Sequence, residues 1–233
     1  MSDKDNFLGK NWLLDTSESI KLYHDIAIPF RQEVGIIDTH THHNLRQIVE
    51  NKPFPNIWRA EVLETREEYK NCDHYIIQLA AKFPGFSQAL ARDPQISDYD
   101  KWVALCKVFP NLEGNHVHQW MHLDLRRMFG IKELLSADTG DRVWKIANEH
   151  LRRKEMLPQY LLHTANSSPL TSSGGPVCDG RKILSEGSRF EVFDRIICRA
   201  VGKIVSSGQM SYNGGVNAIK ALMYKNQMKL FSL

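Results

Sequence analysis

Val34-Gly35-Ile36-Ile37-Asp38-Thr39-His40-Thr41-His42-His43 joins a short apolar run to a polar, histidine-rich one. Its first half is short, apolar and partly β-branched, and it is bounded by polar residues. That pattern predicts a buried strand. Its second half is polar and chemically capable. In an extended chain, residues i and i+2 share a side, so His40 and His42 can both face one ion. Neutral imidazole suits zinc and its neighbours. By itself an H-x-H pair more often reads as a polar loop holding two unrelated histidines. Its position just past a buried strand strengthens the metal reading, because α/β barrels carry their functional groups at the C-terminal ends of strands.

Upstream, residues 17–27 place Ile20, Tyr23 and Ala27 at helical spacing after the cap candidates Asp15 and Thr16. Pro29 is expected to end that helix. Downstream, from about 44 to 160, the pattern is helical. Residues 73–83 stop at Pro84-Gly85. Ser97 with Asp100 is a capping-box variant, followed by Trp102, Leu105, Cys106 and Phe109 on one face. Residues 118–129 end at Gly130, a C-cap candidate. Val143, Ile146, Ala147 and Leu151 form another stripe after Thr139.

Residues 164–176, TANSSPLTSSGGP, change character and read as a linker or junction. Val177-Cys178 is a second short apolar run, leading into Asp179-Gly180-Arg181. Ser188 with Glu191 reads as a capping box opening a helix whose stripe is Phe190, Phe193, Ile197, Val201 and Ile204. Asn213-Gly214-Gly215 reads as a turn before a last helix with Ile219, Leu222 and Met223. Four segments result: 1–43, with the first helix and strand; 44–163, helical; 164–176, the junction; and 177–233, a second strand and the closing helices.

The 233 residues are 42% hydrophobic and 24% charged, an ordinary globular composition. The formal net charge of +3 is spread over mixed signs, with no Lys/Arg block to favour nucleic acid. No run approaches the roughly 20 apolar residues of a membrane span, and the N-terminus lacks a secretory pattern. Cys72, Cys106, Cys178 and Cys198 are widely spaced and read as free thiols of a reducing compartment, so cytoplasm is the expected location.

Three further clusters can carry chemistry. Asp179 and Arg181 are two apart beside an apolar dipeptide. The carboxylate can ligate metal or move a proton, and the guanidinium can hold a carboxylate or an oxyanion. A surface ion pair is the plainer alternative. His118 and His122 are i, i+4, but His118-Gln119-Trp120-Met121-His122 lacks the acid of H-E-x-x-H, so packing or hydrogen-bonding histidines are the expectation. Arg126-Arg127 can bind an anion or face solvent. Tyr75 is core or rim on chemistry alone.

Together these pieces resemble uronate isomerase (glucuronate isomerase), a divergent branch of the amidohydrolase superfamily. Residues 14–27, LDTSESIKLYHDIA, resemble its N-terminal helix. Ile37-Asp38-Thr39-His40-Thr41-His42 looks like its first barrel strand with the metal-binding H-x-H, and Asp73-His74-Tyr75 is similar to its DHY segment. His118 through Gly130, HQWMHLDLRRMFG, resembles a long, specific signature, H-x-W-x-H-L-E-L-R-R-x-F-G. Asp179 through Ser185, DGRKILS, looks like the D-S-R segment at the eighth strand, with Gly180 in place of Ser. After Tyr75, Ile76-Ile77-Gln78 replaces the usual K-W-R.

The resemblance implies an α/β fold, an amidohydrolase-like TIM barrel with a helical insertion. This chain would be mostly α, keeping the first and eighth strands, with the 164–176 junction standing where the strands between them belong. It implies aldose–ketose isomerisation of D-glucuronate to D-fructuronate, and of D-galacturonate to D-tagaturonate. By carry-over, His40, His42 and Asp179 would hold one divalent metal, zinc by preference. Asp179 would also move the proton, Arg181 would neutralise the enediolate, Tyr75 would reach in from the helical insertion, and Arg126 would help hold the sugar acid along with His40 and His42. The expected partner is a small hexuronate, with a homo-oligomer open. The competing expectation is a non-catalytic remnant or truncated gene product that acts at most as a binding module.

Overall fold

The computed structural model describes residues 7–38, 45–62, 75–164, 167–169 and 186–231. In chain order the elements are α1 (Ser17–Lys21), a π-helical stretch Leu22–Ala27, α2 (Ile28–Val34), β1 (Ile36–Asp38), α3 (Leu45–Glu50), α4 (Ile57–Glu61), α5 (Tyr75–Ala80) and α6 (Gln88–Arg92). Then come α7 (Asp98–Val108), α8 (His116–Phe129), α9 (Gly140–His150), α10 (Pro158–Thr164), β2 (Ser167–Pro169), α11 (Glu186–Ser206), α12 (Tyr212–Lys220), a second π stretch Ala221–Lys225, and α13 (Asn226–Phe231). The chain is mostly helical. Among the described residues the sheet has two strands, which pair in parallel with Ile36 opposite Ser167 and Asp38 opposite Pro169. No barrel is formed among them.

Contacts divide the chain into two compact units. The first contains α1, α2, β1, β2, α11 from Arg189 onward, α12 and α13. Thr16 caps α1: its hydroxyl accepts from the Ser19 amide, and the Ser19 hydroxyl accepts from the Thr16 amide, both at 3.0 Å. Asp15, the other cap candidate, instead pairs with Arg199 and Lys203 on α11. Pro29 does not end the helix. The Ile28 amide bonds to the Tyr23 carbonyl, one residue further back than in an α-turn. This wider register carries the chain past a residue with no N–H to give, and the helix resumes through Val34. It stops at Gly35, whose φ of 74° lies in the left-handed region that glycine tolerates best.

The core of this unit joins Leu22, Tyr23, Ala27 and Phe30 to Ile197, Cys198, Val201, Ile219 and Met223. Gly214 and Gly215 are not a turn. Ser211 caps α12 by accepting from the Gly214 amide, so both glycines fall inside the helix. A Cβ on Gly215 would lie 2.9 Å from Val205 Cγ2, so this glycine serves close packing. Ser188 likewise lies within α11, which begins at Glu186. The buried side of α11 includes Val192, Ile197, Cys198 and Val201, while Phe193 and Ile204 from the expected stripe are exposed.

The second unit contains α3 through α10. Its core is centred on Trp58, Trp102, Phe109, Leu105, Met121 and Leu125. Ser97 caps α7 through the Asp100 amide. The Trp102 indole donates to the Gly140 carbonyl at 2.9 Å, and a Cβ on Gly140 would stand 2.7 Å from Cys106 Sγ, so α9 starts hard against α7. Arg59 on α4 grips Asp98 through two hydrogen bonds of 2.8 and 2.7 Å. Cys106 and Cys198 are free and buried, and burial pushes the Cys198 thiol up to about 12. Cys72 and Cys178 lie outside the described residues.

Candidate functional site

His40, His42, Asp179 and Arg181 lie outside the described residues. The structure describes the elements that flank them. β1 ends at Asp38, two residues before His40. Ile36 and Ile37 are both buried, as a strand covered on both faces requires. Its parallel neighbour comes from Ser167–Pro169, inside the segment that sequence alone marks as a junction. A strand here escapes sequence reading because Ser-Ser-Pro has neither alternation nor a β-branched run. Pro169 stands at its last position, where a missing N–H does least harm. Val177-Cys178, the expected second strand, lies outside the described residues.

Arg31, in the last turn of α2, binds on several sides. Its Nε and Nη2 donate to the two carboxylate oxygens of Asp194 on α11, at 3.1 and 2.6 Å. Its Nη1 donates to the Gly35 carbonyl at 3.0 Å and to the Met223 carbonyl at 3.3 Å. The Gly35 amide in turn donates to the Arg31 carbonyl at 2.9 Å. The guanidinium also lies over the Phe190 ring, 5.4 Å from its centroid. Nothing in the sequence signals this pair, which is 163 positions apart.

Arg195, one residue on, donates to the Lys10 and Trp12 carbonyls and to Glu191, and its guanidinium lies 4.3 Å from the Tyr23 ring centroid. It holds the N-terminal turn against α11.

In the second unit, the signature segment forms α8. Gly130 closes it in the left-handed conformation, with its amide on the Arg126 carbonyl and the Ile131 amide on the Leu125 carbonyl. His118 and His122 are both buried. The Leu135 amide donates to His122 Nε2 at 2.8 Å, so Nδ1 carries the proton and donates to the His118 carbonyl at 2.7 Å. Burial pushes the His122 imidazole down to about 4, with the neighbouring His118 adding to the effect. His118 is also lowered by burial, and its ring stacks on Phe109 at 5.5 Å. Both are core histidines, and His122 hydrogen-bonds through both ring nitrogens. Arg126 is half-buried in the last turn of α8. Tyr75 opens α5 and is 57% exposed, a rim position.

Among the described residues, no group of three or more His, Cys, Asp or Glu side chains is arranged to hold a metal ion. An open surface pocket of about 500 Å³ is lined by Glu18, Lys21, Val205, Ser206 and Tyr212, none of them an expected site residue. No helix among the described residues is long and apolar enough to cross a membrane.

The signature segment thus forms α8, and the first strand of the parallel pair ends two residues ahead of the H-x-H. The glucuronate isomerase family model matches residues 4–177, and the chain belongs to that family. It is 34% identical over 171 residues to a uronate isomerase of Thermotoga petrophila, covering 73% of this chain and 34% of that protein. To a Bacillus subtilis uronate isomerase it is 31% identical, over 73% of this chain and 33% of the relative. The crystal structure of uronate isomerase from Thermotoga maritima superimposes with a TM-score of 0.61 at 26% identity, covering 94% of this chain and 49% of that one. The chain thus spans about a third of the length of the curated relatives it matches. The family match runs through Ser167–Pro169 and stops at 177, just short of Asp179. The structural match covers too much of the chain to leave out the C-terminal helices.

Proposed function

We propose that this chain carries the site chemistry of a uronate isomerase and interconverts D-glucuronate with D-fructuronate, and D-galacturonate with D-tagaturonate. The observation that carries the reading is the family match over residues 4–177, a range that takes in the H-x-H, the DHY tyrosine and the α8 signature together. The strands fit the finer fold reading as well. Two parallel strands joined through a long helical excursion are what neighbouring strands of an amidohydrolase-like TIM barrel with an inserted helical domain would present.

In the proposed reaction a base removes the C2 proton of the open-chain aldose, leaving an enediolate. Reprotonation at C1, with the O2 proton passing to O1, yields the ketose. Asp179 is the proton-moving carboxylate. Arg181 neutralises the enediolate oxygens, where a charged donor acts mainly on the transition state. Arg126 offers a guanidinium to the sugar-acid carboxylate, and Tyr75 contributes its hydroxyl from the rim of the helical unit. Two imidazoles and a carboxylate are a donor set that suits zinc, so His40, His42 and Asp179 would hold such a divalent ion, which when bound supplies polarisation of the sugar oxygens.

The test is D-glucuronate in heavy water with added zinc, followed by NMR for the ketose and for C1 deuteration. Turnover that disappears in Asp179→Asn supports the reading. A folded chain without turnover refutes it.

One observation favours a second reading. The described sheet has two strands and the chain spans about a third of its relatives. A non-catalytic module that binds the uronate or the metal without converting it would then remain. Binding without turnover in the same samples would identify it.

A further inference from the structure

We propose that residues 7–14 form a strained strap that Arg195 latches shut, and that this strap opens as a unit while the helices beneath it stay folded.

The strap has little regular structure to hold it. Its backbone makes two successive turns, with the Trp12 amide on the Gly9 carbonyl and the Leu14 amide on the Asn11 carbonyl, both at 2.9 Å. Leu8 and Leu13 take left-handed φ values of 58° and 66°. That region is unfavourable for a bulky L-residue, and such a conformation persists only where the surroundings impose it. Leu8 and Leu14 are buried nonetheless, and the Phe7 and Trp12 rings meet edge to face with centroids 6.2 Å apart. The closed form thus combines apolar burial with a backbone that pulls against it.

The main polar tie is one side chain. Arg195, on α11, donates from Nη1 to the Lys10 and Trp12 carbonyls, each at 3.0 Å. Its Nε and Nη2 both donate to Glu191 Oε1, one turn back on the same helix, at 3.1 and 3.0 Å. Its guanidinium lies 4.3 Å from the Tyr23 ring centroid. Glu191 and Tyr23 therefore hold the guanidinium ready for the strap. The Arg195 side chain is 8% exposed, which limits competition from solvent. A second tie joins Asn11 Oδ1 to His24 Nε2 at 3.1 Å.

Beyond Leu14 the chain is anchored again. Asp15 pairs with Arg199 and Lys203, and Thr16 caps α1. Opening stops at that anchor. Strap and latch belong to the same compact unit, so the movement needs no change in the other. Segments with few backbone hydrogen bonds open at lower cost than helices packed in a core. Opening takes Leu8 and Leu14 out of cover and frees the Arg195 guanidinium for another acceptor.

Hydrogen exchange of the full chain, read by mass spectrometry on peptides from the strap, α11 and α12, tests the proposal. Arg195→Lys keeps the charge but loses the fork. Glu191→Gln, which loosens the guanidinium from its own helix, makes the same test if Arg195→Lys does not fold. Leu13→Asn places at the left-handed position a residue that tolerates it. Arg199→Gln breaks an exposed pair beside the strap and serves as the control.

In the parent, the strap amides should exchange together and faster than those of α11. Arg195→Lys should speed strap exchange by about tenfold or more, as the loss of hydrogen bonds from a charged donor implies, and leave α11 and α12 unchanged. Leu13→Asn should slow it, and Arg199→Gln should leave it alone. Strap exchange unchanged in the folded latch variant would overturn the latch. Strap and α11 exchanging in step would overturn opening as a separate unit. A Leu13→Asn strap that exchanges no more slowly than the parent's would overturn the strain, and an effect of Arg199→Gln equal to that of Arg195→Lys would reduce the latch to general destabilisation and overturn it too.

Discussion

Gly202 lies directly on Ser19: a Cβ added to the glycine would stand 2.6 Å from the serine Cα, Cβ and amide nitrogen. Ser19 is fully buried there. α11 and α1 therefore meet backbone to backbone, and only a hydrogen fits between them.

Gly202→Ala should accordingly destabilise the chain. The obstacle is backbone, which cannot rotate away as a side chain can. Overpacking of this kind costs about 1–3 kcal/mol. Urea unfolding would show a lower midpoint with an unchanged slope. A midpoint equal to the parent's would mean the helices can separate at no cost.

His122 should make the fold acid-sensitive. Its imidazole is held at about 4 in the folded chain, against an ordinary value of 6.5. The unfolded chain therefore binds the proton more readily between those values, so stability is complete above about pH 6.5 and is lost as pH falls toward 4. The loss attributable to this one group is at most on the order of 3 kcal/mol. Lowered by burial, His118 acts in the same direction. Denaturant midpoints measured from pH 7 to 4.5 should fall, and His122→Gln should flatten the curve. An unflattened curve would assign the sensitivity elsewhere.

Asp98→Asn should weaken the second unit. Asp98 accepts two hydrogen bonds from Arg59 and a third from Asn56, at 2.9 Å. Burial alone would raise its carboxyl, but the Arg59 and Asn56 hydrogen bonds and the Arg59 charge outweigh it, and the group is held below the usual range. Removing one partner of a largely buried pair costs about 3 kcal/mol, because the guanidinium loses its matched acceptor. Thermal melts monitored by tryptophan fluorescence would read this, since Trp58 and Trp102 sit in the same core.

Tyr75→Phe should leave stability within about 0.5 kcal/mol, as expected for an exposed side chain. Any fall in the rate of D-glucuronate isomerisation in this variant therefore reports the hydroxyl rather than the fold. An unchanged rate would remove Tyr75 from the reaction.

Local chemistry was legible wherever one residue type decides the outcome. Gly130 ends α8 because its left-handed conformation suits glycine, and Ser97 starts α7 because its hydroxyl meets the Asp100 amide. The Val34–Ile37 run read as a buried strand for its apolar, β-branched character; Ile36 and Ile37 are in β1 and buried, while Val34 ends α2 and Gly35 caps it. Reading failed where the deciding partner is remote. Pro29 looked like a stop until the π register upstream made room for it. Gly214-Gly215 looked like a turn until Val205 and Leu22 were found packed against that helix. Ser167–Pro169 looked like a linker because its strand state comes from β1 rather than from its own propensity.

The family and the helical character of the chain were legible without coordinates, because they reside in residue types at short spacing. Tertiary structure alone decided which strand lies beside β1, which face of α11 is buried, and that Arg31 meets Asp194. Those outcomes depend on contacts between residues far apart in the chain, and a pattern with a period of two or 3.6 residues carries no information about what lies across a packed interface.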